Sequence, residues 1–236
     1  MILAWLSVLS VGAQETSLDR LKPSAIPEAR RWPGQPPELV AILGRARKHT
    51  GDVHHALRIA FSPDGKRLAA SYVEVASDGT VGSGVCLWAF DGAEPKERRP
   101  IVEPGSPGAF TPDGSGFVLC APDGVSLWDV TGDAPTRRTS LPAGKEGAAY
   151  TADVSPDGKS LAVAHFGVGG IGVVRLWDLA GFEARERAVL RGHEHYMTGV
   201  RFSPDGKCLA SSSRDGTVRL WDRSGRPIVS VRRPTM

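Results

Sequence analysis

Gly192-His193, then Val200-Arg201-Phe202-Ser203-Pro204-Asp205-Gly206-Lys207, then Leu209-Ala210-Ser211-Ser212-Ser213-Arg214-Asp215-Gly216-Thr217-Val218-Arg219-Leu220-Trp221-Asp222, is the stretch whose reading decides the fold. Pro204 presets φ at the first central position of a tight turn, and Asp205-Gly206 are residues that such a turn favours. An apolar run, Thr198 to Phe202, leads into this turn. A second turn at Arg214-Asp215-Gly216 leads to Thr217-Val218-Arg219-Leu220-Trp221, which alternates as a strand does. A fourth run, Ile228-Val229-Ser230-Val231, follows the tryptophan. Four strands joined by tight turns make an antiparallel meander.

The same plan recurs upstream. The turn tetrapeptide stands at Ser62-Pro63-Asp64-Gly65, Thr111-Pro112-Asp113-Gly114 and Ser155-Pro156-Asp157-Gly158, so its prolines step by 49, 44 and 48. The strand ending stands at Leu87-Trp88, Leu127-Trp128-Asp129 and Leu176-Trp177-Asp178, so its tryptophans step by 40, 49 and 44. Two motifs kept in phase four times, at a period of about 45 residues, mean stacked units that share a core.

Composition agrees. The 236 residues include 28 Gly and 18 Pro, far too many for long helices. At 41% hydrophobic the chain builds a core, which excludes disorder throughout. Glycine has no three-residue period, which excludes collagen, and three cysteines exclude a disulfide scaffold. No apolar run reaches the roughly 18 residues of a membrane span. Cys86, Cys120 and Cys208 each lie in an apolar strand-like run and read as buried, inert thiols. The net charge is +3, with basic residues scattered in pairs (Arg30-Arg31, Arg98-Arg99, Arg137-Arg138, Arg232-Arg233) on strand ends and loops. That is no basic stripe, so no nucleic-acid partner is expected.

The last unit resembles a full repeat of the WD-repeat (WD40) family. The Leu-Trp-Asp endings and the Gly-His separate it from other families that carry Pro-Asp-Gly turns. The resemblance covers roughly residues 38 to 232 and implies an all-β chain of β-propeller blades. It also implies a structural tetrad of His193, Ser211, Asp215 and Trp221, with Trp88, Trp128 and Trp177 as the blade-core tryptophans of the other units. The chemistry supports this, because an imidazole held by Asp and bonded to a hydroxyl that receives an indole N–H satisfies four buried groups together. Ser, His and Asp also form hydrolase triads, but a Trp at repeat spacing makes the structural reading the stronger one.

The other units depart from this pattern. The first keeps Ser71 and Trp88, with Tyr72 to Gly84 read as a long loop and Asp78 in the Asp role. The second has Cys120 and Pro122 near the Ser and Asp positions. The third has a Gly-rich insert, Gly167 to Gly172, and no Asp. None of the three has a Gly-His, so they are expected to be held by packing alone and to be less rigid than the fourth.

Residues 1–13 read as an atypical signal peptide: Met1 to Val11 is apolar and Val11-Gly12-Ala13 resembles a cleavage site, but a basic leader is missing. On that reading the protein is exported, periplasmic or extracellular, with no membrane span after cleavage; otherwise it is cytoplasmic. Residues 14–37 form a Pro-rich linker, and 38–236 the repeat domain, with blades at 53–102, 103–141, 147–190 and 196–232. Glu38 to Gly44 matches Glu186 to Gly192, the outer strand of a blade, so one lone outer strand precedes four meanders. WD-repeat rings usually close with seven blades. The chain is therefore expected to be a truncated or partial propeller, or to complete a ring with another copy or another chain.

Two functions follow. The first is a non-catalytic scaffold that binds other proteins or peptides. The alternative is a regulatory or scaffold fragment of a propeller-based enzyme. No P-loop, no GxGxxG after a strand and no HExxH is present, so no cofactor or metal is expected. His49, His54 and His55 read as exposed loop residues, as do His165, Glu74 and Asp78, the remaining polar candidates. The resemblance implies partner-binding positions at His195, Tyr196 and Arg214, and Tyr and Arg are enriched at binding hot spots.

Overall fold

In the computed structural model, which describes residues 58–75, 81–90 and 96–232, the four Pro-Asp-Gly turns close alike. In the first, the Ser62 carbonyl accepts the Gly65 N–H at 2.9 Å, and the Ser62 hydroxyl donates to Asp64 at 2.6 Å while accepting the Arg67 N–H at 2.8 Å. Asp64 also accepts the Lys66 N–H at 3.0 Å. Ser155 with Asp157, and Ser203 with Asp205, repeat this set, each with a hydroxyl-to-carboxylate bond of 2.6 Å, and Thr111 plays the same part for Asp113. The glycines take left-handed φ of 67°, 70°, 70° and 67°, which other residues adopt only with strain. That is why this tetrapeptide recurs rather than a looser polar loop.

Among the described residues these turns order sixteen strands into four meanders. The first sheet is β1 (Ile59–Phe61), β2 (Arg67–Val75), β3 (Val81–Ala89) and β4 (Lys96–Glu97). The second is β5 (Ser106–Phe110), β6 (Gly116–Ala121), β7 (Gly124–Asp129) and β8 (Thr136–Pro142). The third is β9 (Ala149–Val154), β10 (Ser160–His165), β11 (Val173–Ala180) and β12 (Glu183–Leu190). The fourth is β13 (Met197–Phe202), β14 (Cys208–Ser213), β15 (Thr217–Asp222) and β16 (Pro227–Arg232). In every sheet the tryptophan sits opposite a large apolar residue of the second strand: Leu68 with Trp88, Phe117 with Trp128, Leu161 with Trp177 and Leu209 with Trp221.

The four sheets are propeller blades, stacked face to face. Ala69, Val85, Leu87 and Ile101 of the first blade region meet Phe110, Phe117, Leu119 and Trp128 of the second. Val118, Val125, Leu127 and Leu141 meet Ala152, Leu161, Val163 and Trp177. Ala162, Ala164, Val174, Leu176 and Leu190 meet Met197, Val200, Leu209 and Trp221. Each of these tryptophans faces the blade before it, and all four blade tryptophans are buried. The middle blades are buried on both faces, so β6, β7, β10 and β11 are almost uninterrupted in burial instead of alternating. Polar links reinforce the stack: Arg67 donates to the Gly114 carbonyl, Arg223 pairs with Asp157, and the Phe202 N–H donates to Asp153 at 2.7 Å. The inner strands β1, β5, β9 and β13 adjoin in that order, and the described sheets do not close into a ring.

Two expectations are corrected here. Most of Tyr72 to Gly84 is not loop. β2 and β3 run on through it, pairing Tyr72 with Gly84 and Glu74 with Gly82, because three of the four residues Tyr72-Val73-Glu74-Val75 are strand formers. Ser71 is not the counterpart of Ser211. Counting from the residue opposite the tryptophan, Ala70 holds that register, and Ser71 lies on the other face, where its hydroxyl accepts the Arg58 N–H at 3.1 Å. The leader at 1–13, the linker at 14–37, the lone strand Glu38 to Gly44, His49, His54, His55 and Asp78 lie outside the described residues. No helix among the described residues is long and apolar enough to cross a membrane.

Candidate functional site

The last blade joins four separated residues. Ser211 sits mid-β14, Trp221 near the end of β15, Asp215 in the turn between them, and His193 in the segment before β13. The Trp221 indole N–H donates to Ser211 Oγ at 2.8 Å, and that hydroxyl meets His193 Nε2 at 2.9 Å. His193 Nδ1 lies 2.8 Å from Asp215 Oδ2. Asp215 also accepts the Glu194 N–H at 2.9 Å, the Thr217 N–H at 2.8 Å and the Thr217 hydroxyl at 2.6 Å. Burial pushes the Asp215 carboxyl up, but hydrogen bonds from the Thr217 hydroxyl, the Glu194 N–H and His193 outweigh it and hold the group far below the usual carboxylate range. Every polar atom at the centre has a partner, and His193 and Ser211 are buried. Ser, His and Asp are thus aligned as in a triad, yet the serine is closed off by Trp221.

The second and third blades surround the tryptophan with other polar groups, so packing alone does not describe them. In the second, Trp128 donates at 2.8 Å to Ser126, two residues back on its own strand. Ser126 holds the register that Arg219 holds in the fourth blade, while Leu119 and not Cys120 holds that of Ser211. The hydroxyl has moved across the strand pair. In the third, Arg175 takes this register and lays its guanidinium 4.6 Å from the Trp177 ring centroid. It also donates to the Pro142 and Ala143 carbonyls at 2.7 and 3.1 Å and pairs with Glu186.

A bulge beside the tryptophan was likewise not foreseen. Between Leu127 and Trp128, and between Leu176 and Trp177, the outer strand holds one extra residue, Arg138 or Arg187. Each reaches the aspartate after the tryptophan, Arg138 to Asp129 at 2.9 Å and Arg187 to Asp178 at 2.7 Å. A hydrogen bond from the Thr131 hydroxyl, then Arg138, lowers the Asp129 carboxyl to about 2.

The remaining polar candidates separate. Glu74 lies within β2, opposite Gly82. His165 is not a solvated loop residue: it is 1% exposed at the end of β10, with Nδ1 2.9 Å from the Gly147 carbonyl, and burial lowers its pKa. None of the cysteines forms a disulfide; Cys120 is buried, and burial pushes its thiol up to about 12, whereas Cys86 and Cys208 are only partly buried.

Above the tetrad, His195 and Tyr196 are exposed, and Arg214 lies beside them, donating its N–H to the Tyr196 carbonyl at 2.9 Å. The His195 carbonyl accepts the Ser213 hydroxyl at 2.9 Å and the Gly172 N–H at 3.1 Å, and the His195 ring accepts the Tyr196 N–H at 2.8 Å. The Gly-rich insert of the third blade thereby buttresses the loop of the fourth. From Tyr196 an aromatic line runs across the blades: Phe166 at 5.8 Å between centroids, Tyr150 at 4.5 Å from Phe166, and the Arg58 guanidinium 3.8 Å from the Tyr150 ring. Phe166 and Ile171 are exposed here. The sequence reading missed Phe166, Tyr150 and Arg58, which come together only in the folded stack. Gly167 supports this line, with φ of 72°, and a β-carbon there would sit 1.5 Å from the Ile171 carbonyl oxygen. Gly167→Ala is expected to rebuild the insert and separate Phe166 from Tyr196. Loss of the ring-current shifts of these two rings in a proton NMR spectrum checks this; unchanged shifts refute it.

A four-blade stack of short meanders, pinned by a His-Ser-Asp-Trp network and holding its tryptophans against the preceding blade, defines the class as a propeller-blade repeat protein. The chain carries WD40 repeats: the family model described as WD domain, G-beta repeat matches residues 42–82 and 184–222. It is similar to a guanine nucleotide-binding protein subunit beta of Oryza sativa subsp. indica, 35% identical over 105 residues, 43% of this chain and 27% of that protein. It is similar to the target of rapamycin complex subunit wat1 of Schizosaccharomyces pombe, 42% identical over 69 residues, 29% of this chain and 20% of that protein. A guanine nucleotide-binding protein subunit beta-1 of Nicotiana tabacum is 31% identical over 170 residues, 69% of this chain and 43% of that protein. The chain thus spans less than half the length of each of these relatives.

Proposed function

We propose that this chain is a non-catalytic scaffold whose partner, a protein or peptide, docks on the surface formed by His195, Tyr196, Arg214, Phe166 and Tyr150. The observation that carries the reading is the aromatic line, in which Tyr196 and Phe166 are exposed and the His195–Tyr196 segment is held by backbone bonds from two blades. Large, rigid aromatic side chains beside an arginine are the groups that dominate protein interfaces. Relatives named as subunits of a G protein and of a target of rapamycin complex support a role within assemblies. The non-catalytic part rests on Ser211, which is 1% exposed and already receives the Trp221 indole.

A photo-crosslinking side chain placed at Tyr196 tests the surface, with Val102, 73% exposed between the first two blades, as the reference position. Discrete protein adducts from position 196 and none from 102 are expected. Equal labelling at both positions, or none at 196, overturns the assignment.

A further inference from the structure

The same apolar face recurs on every blade, and on one blade it is bare. Val85, Val125 and Val174, three residues before the tryptophan, are 0%, 4% and 1% exposed, whereas Val218 is 44% exposed. Their outer-strand partners Ile101, Leu141 and Leu190 are 2%, 7% and 4% exposed, whereas Val231 is 57% exposed. Val229, beside Leu220, is 44% exposed. At the three internal junctions this face is covered in one way, by the following blade's inner strand and the residues around its tryptophan.

The opposite end of the described stack is also open, at the matching place. Ile59 and Phe61 of β1 hold the registers of Val200 and Phe202. Val200 is 1% exposed, whereas Ile59 is 60% and Phe61 43%. Behind them Leu68, Trp88 and Phe90 form a buried cluster that braces the first blade. Among the described residues, one end therefore offers the surface that receives an inner strand, and the other offers an uncovered apolar inner strand.

We infer that a second copy of this chain covers the bare face, head to tail. The Ile59 and Phe61 edge of one copy seats on Val218, Leu220, Val229 and Val231 of the other, as β13 seats on the third blade. A heterologous contact of this kind either closes or propagates. Two copies of the described four-blade arc that meet at both ends give eight blades, within the range of about four to eight at which propellers close. This contact is separate from the aromatic surface and does not depend on it.

The full chain, examined by light scattering, is expected to show twice the 25.1 kDa chain mass and little binding of an apolar-surface dye. Ile59→Glu alone and Val229→Glu alone are each expected to weaken the dimer at least tenfold, since a charge is placed in each junction. Mixing the two variants restores pairing through the one junction that stays intact, Val229→Glu supplying the first blade and Ile59→Glu the fourth. Val231→Lys serves as a second fourth-blade variant, and unchanged circular dichroism shows that each variant folds. A monodisperse monomer overturns the inference. So do an open ladder of oligomers and a dimer that Ile59→Glu leaves intact, the latter because it means that fourth blades pair with one another.

Discussion

Trp221→Ala is expected to cost about 3–5 kcal/mol, the usual toll for emptying a buried aromatic site, and to release the fourth blade before the others. Trp221 is 2% exposed between Leu209 and the face of the third blade, so its removal leaves a cavity and also strips the donor from Ser211. His193→Ala acts through polarity: it leaves Asp215 without its imidazole and the Ser211 hydroxyl with the Trp221 indole as its remaining partner. Removing a buried hydrogen-bond partner costs about 1–3 kcal/mol. Because the apolar core of each blade packs against that of its neighbours, the damage stays local. Hydrogen exchange should accelerate in β13 to β16 while β5 to β8 keep their protection. Uniform acceleration along the chain would mean that the blades do not unfold as separable units.

Acid is expected to lower the melting temperature in two stages. Burial lowers the pKa of His165 below its ordinary 6.5, so the fold favours the neutral ring. That contribution is complete above about pH 6.5 and is lost as the pH falls below it. The turn carboxylates follow. The Ser155 hydroxyl, with the Lys159 N–H, lowers Asp157 to about 2; Asp129 lies at about 2, and Asp215 lies lower still. A carboxylate whose folded pKa is depressed stabilises fully above its ordinary 3.8 and ceases to as the pH drops through the folded value, so the steeper loss runs from about pH 4 down through 2. Asp153 works the other way, since burial raises its pKa and protonation eases its place in the stack. His165→Gln should remove the first stage and leave the second. A melting temperature that stays flat from pH 7 to pH 3 would contradict the assignment of these carboxylates as turn anchors.

The parts of the fold that could be read in advance are those where one residue dictates a backbone shape. Pro63, Pro112, Pro156 and Pro204, each followed by Asp-Gly, specify four turns whose bonds are nearly identical. The tetrad partners were legible through the resemblance to a WD-repeat unit, whose tetrad positions His193, Ser211, Asp215 and Trp221 occupy. What escaped depended on register or on neighbours in space. Ser71 and Ala70 are adjacent in sequence, yet only pairing with Trp88 decides which one faces the preceding blade. Ser126 replaces the missing acceptor from the opposite strand, a substitution visible only once β6 and β7 are paired. Arg138 and Arg187 acquire their aspartates through bulges. The aromatic line draws Arg58, Tyr150, Phe166 and Tyr196 from three blades, and no local pattern announces it.

The most direct measurement sets Tyr196→Ala against His193→Ala, reading thermal melting and partner capture on the same samples. Tyr196→Ala, which trims an exposed ring, is expected to keep the wild-type melting temperature and lose capture, as is Arg214→Ala. His193→Ala is expected to melt several degrees earlier through the fourth blade. Equal melting losses for Tyr196→Ala and His193→Ala would contradict the separation of a buried structural network from a binding surface above it.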